Sequence, residues 1–182
     1  MLELVRILLE AVFIPIRTGV VVALIAQLIL PGTQALTPIT DSNIDAAVTA
    51  WITSPTTATA TYGNIAGWNT AAVTSMASLF SSKTTFNSDI SKWNVASVSN
   101  MASCFDGAAA FNRNIGSWNT ARVSNMQSTF RDAAAFDQNI GDWNTAFVSA
   151  GGLIYIFSGA SLFNGNIAKW NTARVANLLV RA

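Results

Sequence analysis

The chain has 182 residues, enough for one domain of ordinary size with a sizeable core, and 51% of them are hydrophobic. Charged residues make up only 10%, split into ten basic and nine acidic side chains, a balance that argues against disorder and leaves nucleic acid no electrostatic footprint. There is no histidine, and Cys104 is the single cysteine, so the commonest general base, an internal disulfide and any cysteine-cluster metal site are absent.

Residues 1–36 differ in character from the rest. Gly19 to Leu30 form a nearly unbroken apolar run between Arg17 and Pro31-Gly32. Twelve residues of helix reach ~18 Å, short of the ~30 Å hydrocarbon core of a bilayer. That length suits the apolar region of a signal peptide, and Thr33-Gln34-Ala35 supplies a small-residue cleavage site. Glu3, Arg6 and Glu10, however, share one helical face and cancel most positive charge upstream. A cleaved signal, an uncleaved membrane anchor and a packed helix therefore stay open, with membrane contact confined to this segment. The first two predict a secreted, surface-displayed or membrane-anchored protein.

Residues 37–61 read as an amino-terminal cap and linker. Ser42 with Asp45 three residues on resembles a capping box, and Ile44, Ala47, Val48, Trp51 and Ile52 then form one apolar stripe. The spacing predicts a helix over 41–52. The Thr- and Pro-containing stretch 53–61 reads as a link between that helix and the region from residue 62 onward.

From residue 62 to 182 the sequence repeats. Trp68, Trp93, Trp118, Trp143 and Trp170 stand 25, 25, 25 and 27 residues apart. Each has isoleucine three residues before it, asparagine directly after it and valine five residues after it. Phe80, Phe105, Phe130 and Phe157 recur in register, each followed six residues later by Phe86, Phe111, Phe136 and Phe163. A unit this short cannot bury its own apolar face, so neighbouring copies must stack. Residues 119–123 alternate as a short strand would, whereas Met101, Cys104, Phe105 and Ala108 carry helical spacing. The expected fold is an α/β repeat protein. Its architecture is a right-handed parallel solenoid, leucine-rich-repeat-like, with one short strand and one short helix per copy. Two extra residues in the fourth copy fall between Val148 and Leu153, around Ala150-Gly151-Gly152.

The run Phe86-Asn87-Ser88-Asp89-Ile90-Ser91-Lys92-Trp93-Asn94, continuing to Val98, Met101 and Phe105, carries a resemblance. It is similar to the BspA-type leucine-rich-repeat surface proteins, including the mycoplasma lipoprotein-type repeat. The resemblance spans roughly residues 41–177 and implies a secreted or surface-displayed binding module without enzymatic activity.

The residues themselves give the same direction. Charged groups after residue 36 are scattered, so no catalytic cluster, cofactor site or metal site is expected. The aspartates share no column, which argues against a calcium array. Asparagine columns before each isoleucine and after each tryptophan read as turn residues bonding the backbone. Cys104 and the tryptophans read as core. If Ala121 and Val123 of the strand point inward, Arg122 points out, and its column runs Ala72, Ser97, Arg122, Phe147 and Arg174. The column beside it stays small: Thr74, Ser99, Ser124, Ser149 and Ala176. An exposed phenylalanine between two arginines is the candidate binding face, for a protein or surface-glycan ligand. A purely structural wall or matrix repeat is the alternative. Ice binding, suggested by Thr70, Thr120, Thr145 and Thr172, is opposed by Val95 in the same column. The fifth copy stops at Ala182, before its phenylalanines. An uncapped carboxyl end is therefore expected, explained by a longer array or by association of Leu178-Leu179-Val180 with another copy or partner.

Overall fold

A computed structural model describes residues 35–176. The expected signal or anchor segment, and the Leu178-Leu179-Val180 end, lie outside the described residues. Among those described, no helix is long and apolar enough to cross a membrane.

Two helices lead. α1 spans Ile44–Thr53 and buries Ile44, Ala47 and Val48 of the predicted stripe, with Trp51 and Ile52 half-buried against the core. Its start departs from the expected capping box. Asn43 is the N-cap and makes no capping bond, its Oδ1 instead accepting from the Thr40 amide at 2.9 Å. The Ser42 hydroxyl is paired with that of Thr40 at 2.9 Å. The stretch read as a link is largely a second helix, α2, Pro55–Tyr62. Pro55 fits there because the first helical turn needs no amide donor, and Gly63, at φ 80°, ends the helix in a conformation glycine adopts without strain.

Each 25-residue copy then forms one coil laid against the next. Parallel bridges join Ser75 to Asn100 and Asn100 to Asn125. No longer strand occurs among the described residues, which corrects the expected strand at 119–123. There the chain turns tightly, the Val123 amide donating to the Thr120 carbonyl at 2.9 Å. Asn119 drives the turn, its Oδ1 accepting from the Ala121 amide at 3.2 Å, a local bond that competes with extended pairing.

The expected short helix is likewise a ribbon of turns. The amides of Met101, Ser103, Phe105 and Gly107 donate to Asn125, Gln127, Thr129 and Arg131 of the next coil at 2.7–2.8 Å. Those of Cys104, Asp106 and Ala108 instead reach back three residues. This alternation leaves no room for bonds of the α-helical kind, and it places Ser103 at φ 54° and Gly107 at φ 69°. Yet Met101, Cys104, Phe105 and Ala108 are all buried, as their spacing requires. Over eight residues a four-residue ribbon repeat and a 3.6-residue helix bury the same positions.

The core is a set of aromatic ladders. Phe80, Phe105, Phe130 and Phe157 stack coil to coil with centroids 5.2, 5.5 and 5.8 Å apart. Phe86, Phe111, Phe136 and Phe163 form a second ladder at 5.8–6.0 Å. Within each coil the two rings lie 3.9–4.2 Å apart. Each indole Nε1–H of Trp93, Trp118, Trp143 and Trp170 donates to the isoleucine carbonyl of the preceding coil, at 2.8–3.2 Å. The two-residue insertion is accommodated without disturbing this packing, Gly152 being buried and Gly151 half-buried. The Ser149 amide still bonds Ser124, and the Met126 amide finds the Gly152 carbonyl at 2.8 Å. A Cβ on Gly152 would meet the Ser124 carbonyl at 2.9 Å, so the returning chain needs glycine there.

The first coil lacks a preceding coil, and Asp41 stands in for one. In later copies the Ser99, Ser124 and Ser149 amides donate to Thr74, Ser99 and Ser124 carbonyls. The equivalent Thr74 amide donates to Asp41 Oδ1 at 2.8 Å, and the Thr74 hydroxyl to Oδ2 at 2.6 Å. The Thr74 hydroxyl, followed by its amide, holds the Asp41 carboxyl below its ordinary 3.8. A lowered carboxyl contributes stability that is complete above 3.8 and lost as pH falls through the folded value. Asp41→Ala is therefore expected to lower stability by about 1 kcal/mol at neutral pH, the ordinary loss for a capping side chain. Urea unfolding at pH 7 and again below the folded value checks this. The gap between variant and parent should close on the acid side, and an undiminished gap there would refute the carboxylate's role.

Candidate functional site

The candidate column lies at the third position of a four-residue turn in every copy. The turns begin at Thr70, Val95, Thr120, Thr145 and Thr172 and close on Val73, Val98, Val123, Val148 and Val175 at 2.9–3.0 Å. Each is fastened from both ends. Ahead of it, the Oδ1 atoms of Asn69, Asn94, Asn119, Asn144 and Asn171 accept from the alanine amide two residues on, at 3.0–3.2 Å. Behind it, Val73, Val98, Val123 and Val148 are fully buried. Thr70, Thr120 and Thr145 at the turn starts face inward and donate to carbonyls of the next coil at 3.0–3.2 Å, whereas Thr172 is exposed. Val95 fills the same buried place without that bond. The hydroxyls that suggested ice binding are thus withdrawn from solvent in three copies.

Ala72, Arg122, Phe147 and Arg174 are exposed and Ser97 is half-buried. They project from turn tips, not from the alternating face of a strand. Phe147 is 62% exposed, high for a phenylalanine. The small column beside it, Thr74, Ser99, Ser124, Ser149 and Ala176, is exposed throughout, and Ser99 and Ser124 donate to carbonyls of the preceding coil at 3.3 and 3.2 Å. The column is thereby a low, self-bonded platform on which only residues 122, 147 and 174 stand tall.

Asparagines and aspartate ahead of each isoleucine do the turn-bonding work their column suggested. Asn64, Asp89, Asn114, Asn139 and Asn166 accept from the amide two residues on at 2.9–3.1 Å. At Asp89 the Ser91 amide and hydroxyl hold the carboxyl below its usual range. Among the described residues no three acidic or thiol side chains gather where they could hold a metal ion. Cys104 is completely buried, and burial pushes its thiol well above the ordinary range, which makes it an inert core residue.

A further column escaped the sequence reading. Asn87 Oδ1 accepts from the Asn112 amide, Asn112 from Asp137 and Asp137 from Asn164, at 3.1, 3.0 and 2.9 Å. The signal was the polar residue directly after the second phenylalanine of every copy. It zips the coils together ten residues ahead of the candidate column.

A family model described as "Mycoplasma protein of unknown function, DUF285" matches residues 51–151 and 151–180. The chain belongs to that family. The two matched DUF285 segments meet at Gly151, inside the two-residue insertion, so the break falls where the coil spacing changes. Membership agrees with the mycoplasma repeat side of the resemblance read from the sequence. No curated protein and no solved structure matches the chain.

Proposed function

We propose that this DUF285 chain is a non-enzymatic, surface-displayed or secreted module that binds a protein ligand. In this reading it is a right-handed parallel solenoid of the BspA-type leucine-rich-repeat kind, and its turn-tip column is the recognition face. One observation carries the proposal: Phe147 stands exposed between Arg122 and Arg174 on turns whose every other residue is small, buried or self-bonded. Aromatic and arginine side chains supply most of the energy at protein interfaces, and a rigid base spares them the entropy of ordering a loop. The coil-to-coil hydrogen bonds support the solenoid reading, and the apolar run before Pro31 supports export.

The triple variant Arg122→Ser, Phe147→Ser and Arg174→Ser tests it. All three side chains are solvent-facing, so stability is expected to change by less than ~0.5 kcal/mol per site. Partners captured by the parent chain from surface extracts should be lost by the variant. If every captured partner survives the change, the column is not the site.

A further inference from the structure

We infer that the Arg122–Phe147–Arg174 column docks an acidic protein segment in extended form, two carboxylates flanking one apolar side chain. The inference rests on the binding reading above and names the chemistry of its partner.

Charge is the first argument. Among the described residues no ion pair or side-chain hydrogen bond engages Arg122, Arg174, Lys83 or Lys92, whereas the other two arginines and Lys169 are engaged. Arg131 grips Asp106 through two contacts of 2.9 and 2.8 Å, Lys169 meets Asp142 at 2.6 Å, and Arg113 donates to the Asn87 carbonyl at 2.7 Å. The turns that carry the column, 119–124, 144–149 and 171–176, contain no acidic residue. Two guanidinium groups thus face solvent with no counter-charge on their own turns, and guanidinium is built for paired bonds to carboxylate.

Desolvation is the second. Covering the platform strands few polar groups, because the turn amides are bonded to the asparagines and the Ser124 hydroxyl to Ser99 at 3.2 Å. Spacing is the third. Parallel neighbours lie ~4.8 Å apart, which sets Arg122 and Arg174, two coils apart, roughly 10 Å from each other at the backbone. An extended peptide advances ~3.3 Å per residue and alternates faces, so carboxylates about four residues apart, ~13 Å along one face, would reach both arginines through their flexible side chains, with the apolar residue midway between them over Phe147. A membrane is less well served. Two basic residues contribute only ~1 kcal/mol each at an anionic surface, and a single exposed phenylalanine adds one small anchor.

The experiment titrates the full chain against short Gly/Ser-based peptides carrying one leucine between two glutamates of varied separation. Lysine-for-glutamate peptides and phosphatidylserine vesicles run alongside. Binding is expected to peak near a four-residue separation with leucine at the midpoint, to weaken with added salt, and to be at least about tenfold weaker for the lysine peptides. The double variant Arg122→Glu and Arg174→Glu should invert that preference, a gain of function that misfolding does not produce. Indifference to separation or to charge reversal would overturn the inference, as would binding to vesicles alone. If the acidic peptides fail while the triple serine variant still loses its captured partners, the column binds by other chemistry, and only the acidic-segment inference falls. If the peptides fail and the partners survive, both readings fall together.

Discussion

Trp118→Ala is expected to lower the unfolding free energy by ~3–5 kcal/mol, the range for deleting a large buried aromatic. The indole is 4% exposed and sits between two layers of the core. Its ring lies 6.3 Å from Trp143, nearly parallel at 5°, and 6.3 Å from Phe105. Removing it opens a cavity whose walls are themselves stacked rings, held in place by coils on both sides and poorly able to collapse. The variant also removes one of the two donors to the Ile90 carbonyl, the indole N–H at 3.2 Å, a bond to a residue 28 positions earlier. That carbonyl keeps the Trp93 amide at 3.1 Å, so the loss is one of its two bonds, about 0.5–1.5 kcal/mol. Trp118→Phe separates these terms, since it keeps most of the ring area and loses only the indole N–H, so a smaller loss is expected. Urea unfolding of the two variants beside the parent chain measures both. A loss below about 1 kcal/mol for the alanine variant would mean that the ring carries no core energy.

Trp118 also shows what the sequence could reveal and what it could not. The constant offsets to isoleucine and valine marked the tryptophans as core, and Trp68, Trp93, Trp118, Trp143 and Trp170 are buried. Column position predicts burial because every copy occupies the same place in its coil. Backbone conformation was less legible. The Met101, Cys104, Phe105 and Ala108 spacing fits a helix, but alternate amides choose the neighbouring coil, and that choice depends on residues 24 positions away. The same holds for the Thr120–Val123 turn, where the side-chain oxygen of Asn119 decides against a strand. Asp41 was invisible for a different reason. It belongs to no column, and its role exists only because Thr74 lacks a preceding coil. The candidate column was named from a strand that is not there, yet its exposed members are the same, because turn tip and strand face both leave residue 122 outside while Val123 is buried.

Val48→Asp should be the most damaging single change in the leading helices, with an expected loss of roughly 3–5 kcal/mol, the scale of an unpaired buried charge. Val48 is completely buried beside Ile44 and Ala47, and α1 packs this stripe on the first coils. Ala46→Asp is the matched control, since it adds the same carboxylate to the same helix at an exposed position near the N-terminus. It should be neutral to slightly stabilising, because an anion there complements the helix dipole. The two variants also report how far cooperativity reaches. The described contacts of the leading helices with the array are short-range: Trp51 lies edge-on to Trp68 at 6.4 Å, and its Nε1–H donates to Ser88 at 2.9 Å. Nothing of α1 touches the third or fourth coil among the bonds described. In a stack whose units bond mainly to their neighbours, damage at one end loosens that end first. Hydrogen exchange of Val48→Asp should therefore accelerate across α1, α2 and the first coil. The amides of Ser128, Phe130 and Asp132, which donate to the fourth coil at 2.7–2.9 Å, should stay protected. Uniform acceleration through Asp132 would instead mean that helices and coils fold as one unit, and the nearest-neighbour account of this stack would fail.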